Sequence, residues 1–235
     1  MTRSGGARNR KAEFNGLRER MRDPLLTALA ILLGLWMFVL APLHATGRID
    51  TDIAGLLLAI AVTGSLLILS GHLISVVVMA TAIGISAAAT LFRVQQPSNF
   101  DVFLNATAWI LISITLIVVV GRAVFAPGLI TYHRIMGAIV LYLAIGLLFV
   151  ALFTYVGLAS HEAFAGMTVR DSPLFSSTMI YFSFGNLTTA GSGDISPINP
   201  VARSLCNIEA MIGQLYPAII LARLVSMHVA DGEHR

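Results

Sequence analysis

Residues 53–92 constrain this chain most, because forty consecutive positions carry no Asp, Glu, Lys or Arg. A helix needs about 20 apolar residues to cross the hydrocarbon of a bilayer, so a run of this length reads as two crossings. The break between them is expected at Ser70-Gly71-His72, where glycine permits a tight turn and histidine reaches headgroup water. Composition extends the point to the whole chain: of 235 residues 57% are hydrophobic and 11% charged, with mean hydropathy +0.83. Soluble domains carry about 25% charged residues. Such a chain hides its surface in lipid, which predicts an all-α membrane protein.

Further crossings are expected at 24–43, opened by Asp23-Pro24, and at 103–120, 135–158 and 202–227. Six crossings place both termini on one side. Seven of the fifteen basic residues (Arg3, Arg8, Arg10, Lys11, Arg18, Arg20 and Arg22) fall in 1–23, with no small-residue cleavage site behind them. That bias predicts cytoplasmic termini in an inner (plasma) membrane. Two readings of 1–23 stay open: an interfacial helix on anionic lipid, and a basic tail that serves topology alone. The expected units are 1–23, a four-helix domain over 24–130, a second membrane domain over 131–228, and a short tail over 229–235.

One cysteine, Cys206, excludes an intrachain disulfide framework, and six scattered histidines show no ligand spacing. No nucleophile–base pair, metal cluster or phosphate loop stands out. The expectation is no enzyme, no cofactor and no nucleic-acid partner. Arginines are absent from 103–120, so steep voltage sensing by that helix is not expected.

The chemistry lies between the fifth and sixth crossings. Asp171-Ser172-Pro173 is a helix start, and 174–187 follows as an apolar helix with Tyr181, Phe182 and Phe184. It is too short to span, which predicts a re-entrant segment. It ends in Thr188-Thr189-Ala190-Gly191-Ser192-Gly193-Asp194, polar and poorly suited to helix. Non-helical backbone at membrane depth is tolerated only when buried in protein or facing a water-filled path. Its carbonyls need something to coordinate, and a permeating cation supplies it.

Over 135–227 the chain resembles the pore module of the potassium channel superfamily, whose filter reads Thr-Val-Gly-Tyr-Gly-Asp. The likeness rests on Thr189-Ala190-Gly191-Ser192-Gly193-Asp194, on the exit Ser196-Pro197-Ile198-Asn199-Pro200, and on Gly213 nineteen positions after Asp194. The inner-helix residues Ala202-Arg203-Ser204-Leu205, Glu209, Gly213-Gln214-Leu215-Tyr216 and Ala222-Arg223 look like those of bacterial members. The first four helices match the six-helix subgroup in architecture only.

The resemblance implies six transmembrane helices with a re-entrant pore helix and filter loop between the fifth and sixth. It implies a homotetramer around a four-fold pore in a bacterial inner membrane. Carbonyls of Thr189, Ala190, Gly191 and Ser192, with the Thr189 hydroxyl, are expected to hold dehydrated potassium. Gly191 and Gly193 supply the backbone freedom, and Asp194 stands at the outer mouth. Ala190 replaces the usual valine, a mild change. Ser192 replaces the usual tyrosine and cannot fill its volume, which leaves a support role to Tyr181 and Phe182. Two readings follow, a potassium-selective filter and a looser, non-selective one. A non-conducting channel-like subunit is a third. A secondary transporter fits less well, since only one interrupted segment is present.

Glu209 is the only acidic residue within the sixth helix. It is expected behind the filter, bonded to Ser183 or Asn186, as a pH-sensitive tuner or as a plain structural partner. Gly213 and Pro217 form a candidate gating hinge, since proline removes a helix hydrogen bond. Pro217, Leu221 and Val225 share a face that either lines the inner pore or forms a plain lipid-facing or inter-helix stripe.

Overall fold

The protein is described by a computed structural model over residues 24–47, 62, 64, 73–95, 99–125, 132–160, 162–169 and 172–233. Within these residues the chain runs α1 (Pro24–Ala45), α2 (Leu73–Gln95), α3 (Asn99–Val124), α4 (Tyr132–Ala159), β1 (Phe164–Ala165), α5 (Pro173–Leu187), β2 (Ser196–Pro197) and α6 (Pro200–Glu233). Four helices are long and apolar enough to cross a membrane: α1, α3, α4 over Arg134–Ala159, and α6 over Pro200–Arg223. α2 contains a shorter apolar stretch, Val77–Leu91. The first predicted segment, 1–23, lies outside the described residues. So does most of the expected second crossing, with its break at Ser70-Gly71-His72.

The helices run longer than hydropathy marks them. α3 begins at Asn99 and ends at Val124, each about a turn beyond the expected 103–120. α6 continues to Glu233, past the expected end near 227. Backbone hydrogen bonding has no reason to stop where apolar side chains do, and no proline interrupts either extension.

Among the described helices, one turn departs from α geometry. Trp36–Leu40 is π-helical, immediately ahead of Pro42. A proline ring clashes with the carbonyl four residues earlier and offers no N–H to it, so a widened turn there absorbs the conflict. The turn carries Trp36 onto Trp109 of α3, stacked at 5.0 Å, and Phe38 edge-on to Phe184 of α5 at 5.1 Å.

α3 packs against both α2 and α4, and α4 lies against α5 and α6. Burial grades accordingly: within the chain, 56% of the α4 window is covered, against 17% of the α6 window. α4 is the spine of the domain. α6 leaves most of its surface unpartnered.

Candidate functional site

Ser172 is extended (φ −148, ψ 151) and Pro173 opens α5, as the Ser-Pro pair predicts, although the serine side chain makes no capping bond. Fifteen residues span roughly 22 Å at 1.5 Å each, short of the ~30 Å hydrocarbon thickness. Aromatic packing holds α5 to α4. Phe182, 1% exposed, meets Phe153 and Phe164 edge-on at 4.9 and 5.3 Å. Phe184 fills a notch at Gly146, where an added Cβ would lie 2.4 Å from the ring.

Beyond Leu187 the chain changes character. Thr189 N–H donates to the Asn186 carbonyl at 2.9 Å, and Thr189 takes φ +58. A β-branched residue in the left-handed region is strained, and such strain persists only where surroundings impose it. Gly191 (φ +77) and Gly193 (φ +27) follow, so φ turns positive at every second residue from 189 to 193.

The strand is tied down from several sides. The Gly191 N–H donates to the Gly185 carbonyl at 2.9 Å, an acceptor that the end of α5 leaves free of its usual helical partner. The approach is close because Gly185 lacks a side chain: a Cβ there would meet the Gly191 carbonyl carbon at 3.3 Å and the Ser192 nitrogen at 3.4 Å. Sequence reasoning missed Gly185. Its signal was a glycine inside an otherwise apolar helix, which often marks a close backbone approach.

Ser192 is 4% exposed and donates its hydroxyl to the Ile195 carbonyl at 3.2 Å. Its own carbonyl accepts from Asp194 N–H. Tyr181 does not fold in behind Ser192. Its hydroxyl donates to Asp194 Oδ1 at 3.0 Å, bracing the exit of the strand. Phe182 lies instead in the aromatic cluster with Phe153 and Phe164. Against the outer side, Gly166 (φ +82) lets the loop after α4 lie on the Asp194 carbonyl, where a Cβ would come within 2.0 Å. The pairing of Phe164 with Pro197 fixes that loop.

On the inner side, Gln214 Nε2 donates to Thr189 Oγ1 at 2.7 Å, while that hydroxyl donates to the Thr188 carbonyl at 2.7 Å. The neighbouring Gly213 seats α6 against α5: a Cβ on it would lie 1.7 Å from the Leu187 carbonyl oxygen. Tyr142 and Tyr216 join α4 to the same region through the Leu187 and Ala138 carbonyls, at 3.4 and 2.7 Å. Glu209, fully buried, shares a 2.5 Å hydrogen bond with Ser183 Oγ through Oε1. Asn186, the other expected partner, donates instead to the Phe182 carbonyl at 3.0 Å. Pro217 sits inside the continuous α6. Pro217, Leu221 and Val225 are all exposed in the single chain, and the first two line an open apolar groove facing Ile135, Ile139 and Tyr142 of α4.

The strand itself faces outward from the single chain. Thr188, Thr189, Ala190, Gly191, Gly193 and Asp194 are exposed. Ile208, Met211, Leu215 and Ile219 of α6 are also exposed, at spacings of three or four that place them on one face. No group of three or more His, Cys, Asp and Glu side chains gathers among the described residues. The donors at this site are backbone carbonyls and hydroxyls, hard oxygen ligands suited to a hard cation.

Residues 139–230 match the family model described as "Ion channel", a stretch running from α4 through α5 and the 189–194 run into α6. The match supports the resemblance of this part of the chain to the potassium channel superfamily. No curated protein and no solved structure matches the chain.

Proposed function

We propose that this chain is one subunit of a homotetrameric cation channel that favours potassium, with residues 189–193 as its ion filter. The observation that carries this reading is the exposed strand in which φ is positive at Thr189, Gly191 and Gly193. In an ordinary extended strand successive carbonyls point to opposite sides. Reversing φ at every second residue turns them toward the same side, as a row of ion ligands requires. One strand cannot enclose an ion. Four copies around an axis can, and the bare apolar face of α6 supplies a surface for them to share.

In this assembly the carbonyls of Thr189, Ala190 and Gly191 replace the hydration shell of a passing ion, joined by that of Ser192 once it releases the Asp194 N–H it accepts in the single chain. The C-terminal end of α5 turns its partial negative charge toward the inner end of the filter, favouring a cation there. Asp194, held by Tyr181, lies at the outer mouth, where it raises the local cation concentration. Ser192 does not leave the filter loose. Its hydroxyl is bonded to the Ile195 carbonyl, and Gly185 brings α5 directly against the strand. This favours the selective reading over the non-selective one. The first four helices complete six crossings, with both termini cytoplasmic in a bacterial inner membrane, and Gly213 and Pro217 are positions at which the inner helix can bend.

Potassium and sodium flux from liposomes holding the purified full chain tests the reading. Potassium flux that sodium does not support, lost in Gly191→Ala, is the expected result. Alanine at φ +77 is strained by about 1–2 kcal/mol per residue, enough to disturb the carbonyl row. Equal flux of both ions points to a general cation pore. No flux under any gradient, pH or voltage refutes conduction.

A further inference from the structure

We propose that Glu209 holds a proton, and that this proton closes a clasp joining α4, α5 and α6 directly behind the filter. The inference rests on the filter reading above and assigns Glu209 as a positioning residue for it. The geometry poses a problem of donor count. Ser183 Oγ lies 2.5 Å from Glu209 Oε1 and 3.0 Å from the Gly146 carbonyl oxygen, and Ser183 and Glu209 are both fully buried. A serine hydroxyl has one proton to give, and a backbone carbonyl has none. With Glu209 ionised, one of the two contacts would be oxygen against oxygen with no hydrogen between them.

A proton on Glu209 Oε1 satisfies both. Glu209 then donates to Ser183 Oγ, and Ser183 donates to the Gly146 carbonyl. The 2.5 Å separation suits an O–H···O bond at the short end of its range. The remaining oxygen, Oε2, is buried with no hydrogen-bond partner. As the carbonyl oxygen of a neutral acid it is far cheaper to leave bare than as half of a carboxylate. Among the described residues, the ionisable groups that interact with Glu209 are Tyr142 on α4 and Cys206 one turn earlier on α6, and Ser183 on α5 is uncharged. None supplies a positive charge to a carboxylate.

The clasp sits where it matters. Ser183 precedes Gly185 by two residues, and the Gly185 carbonyl holds Gly191. Glu209 lies one turn before Gly213 and Gln214, which seat α6 on Leu187 and Thr189. Removing the proton places a buried charge beside a hydroxyl with two claims on it. α5 and α6 then separate, and both filter contacts loosen. Alkaline conditions should therefore abolish ion discrimination, and neutral and acidic ones should preserve it.

Infrared spectroscopy of the full chain in phosphatidylcholine vesicles, with its five glutamates labelled in carbon-13, reads the proton directly. The expected result at neutral pH is a glutamate-specific carbonyl band of a protonated acid that disappears on alkalinisation. It should also be missing from Glu209→Gln. Absence of that band in the unaltered chain overturns the proposal, whether or not any variant folds. In flux assays Glu209→Gln, which retains a donor toward Ser183, should keep potassium over sodium discrimination and lose its alkaline sensitivity. Glu209→Ala should lower discrimination about tenfold, the effect of losing one buried hydrogen bond between neutral groups. Equal discrimination in both variants overturns the positioning role. The infrared arm needs no conduction, so failure of the filter reading and failure of the proton are read separately.

Discussion

Gly213→Ala separates two accounts of α6. A Cβ at 213 would stand 1.7 Å from the Leu187 carbonyl oxygen and 2.7 Å from its carbon, both backbone atoms that cannot rotate away. Real Cβ contacts essentially never fall under 3.0 Å, so α6 and the end of α5 must part by at least about 1.3 Å (3.0 minus 1.7). Gln214 is the next residue, and its bond to Thr189 is 2.7 Å long. The same displacement stretches it to about 4.0 Å, beyond hydrogen bonding. Overpacking of this kind costs about 1–3 kcal/mol, and the lost Gln214 bond adds about 1 kcal/mol. The expected outcome is a protein that unfolds earlier on heating in detergent and that discriminates potassium from sodium less well in liposomes. A hinge predicts something else: normal stability and normal selectivity, with only the frequency of opening altered. Gly213→Ala that melts and selects like the unaltered chain refutes the packing account.

Two further substitutions test the strand's other supports. Gly185→Ala puts a methyl group 3.3–3.5 Å from Gly191 and Ser192, so the strand must give by a few tenths of an ångström; potassium flux should fall with less loss of stability than Gly213→Ala causes, and unchanged flux would show that the Gly185 contact does not set the filter. Tyr181→Phe removes the hydroxyl that holds Asp194 Oδ1, and the expected change is a faster decline of potassium current during sustained flow with stability nearly unaltered, checked by single-channel recording in planar bilayers.

Much of this domain is legible in the sequence because its signals are local. Apolar length marked the spans at α1, α3, α4 and α6. Ser172-Pro173 marked the start of α5, and the polar, glycine-bearing run after Leu187 marked where helix must end. Of the two partners expected for Glu209, Ser183 is the one it meets and Asn186 is not, since an acidic side chain at that depth requires a buried polar partner without fixing which. What escaped was contact between distant backbones. Gly185, Gly146 and Gly166 work by lacking a side chain, and nothing in the sequence says which neighbour takes the space. Tyr181 was expected to compensate for Ser192 by filling volume, whereas it reaches past Ser192 to Asp194. The π turn at Trp36–Leu40 was invisible for a similar reason, because Pro42 requires a distortion without stating its form.

Ser192 is the position where these lines meet. Judged against its family pattern, a serine there is a deletion of volume, and the inference to a looser filter is natural. Judged inside this chain, it belongs with Gly185. A bulky residue at 192 keeps strand and helix apart with a side chain between them, whereas glycine at 185 lets helix backbone reach strand backbone, with the Gly185 carbonyl bonded to Gly191 N–H. Backbone contact has no rotamers, so a strand held this way loses little rigidity for the side chain it gives up. The departure from the family pattern is better read as one half of a pair than as a defect.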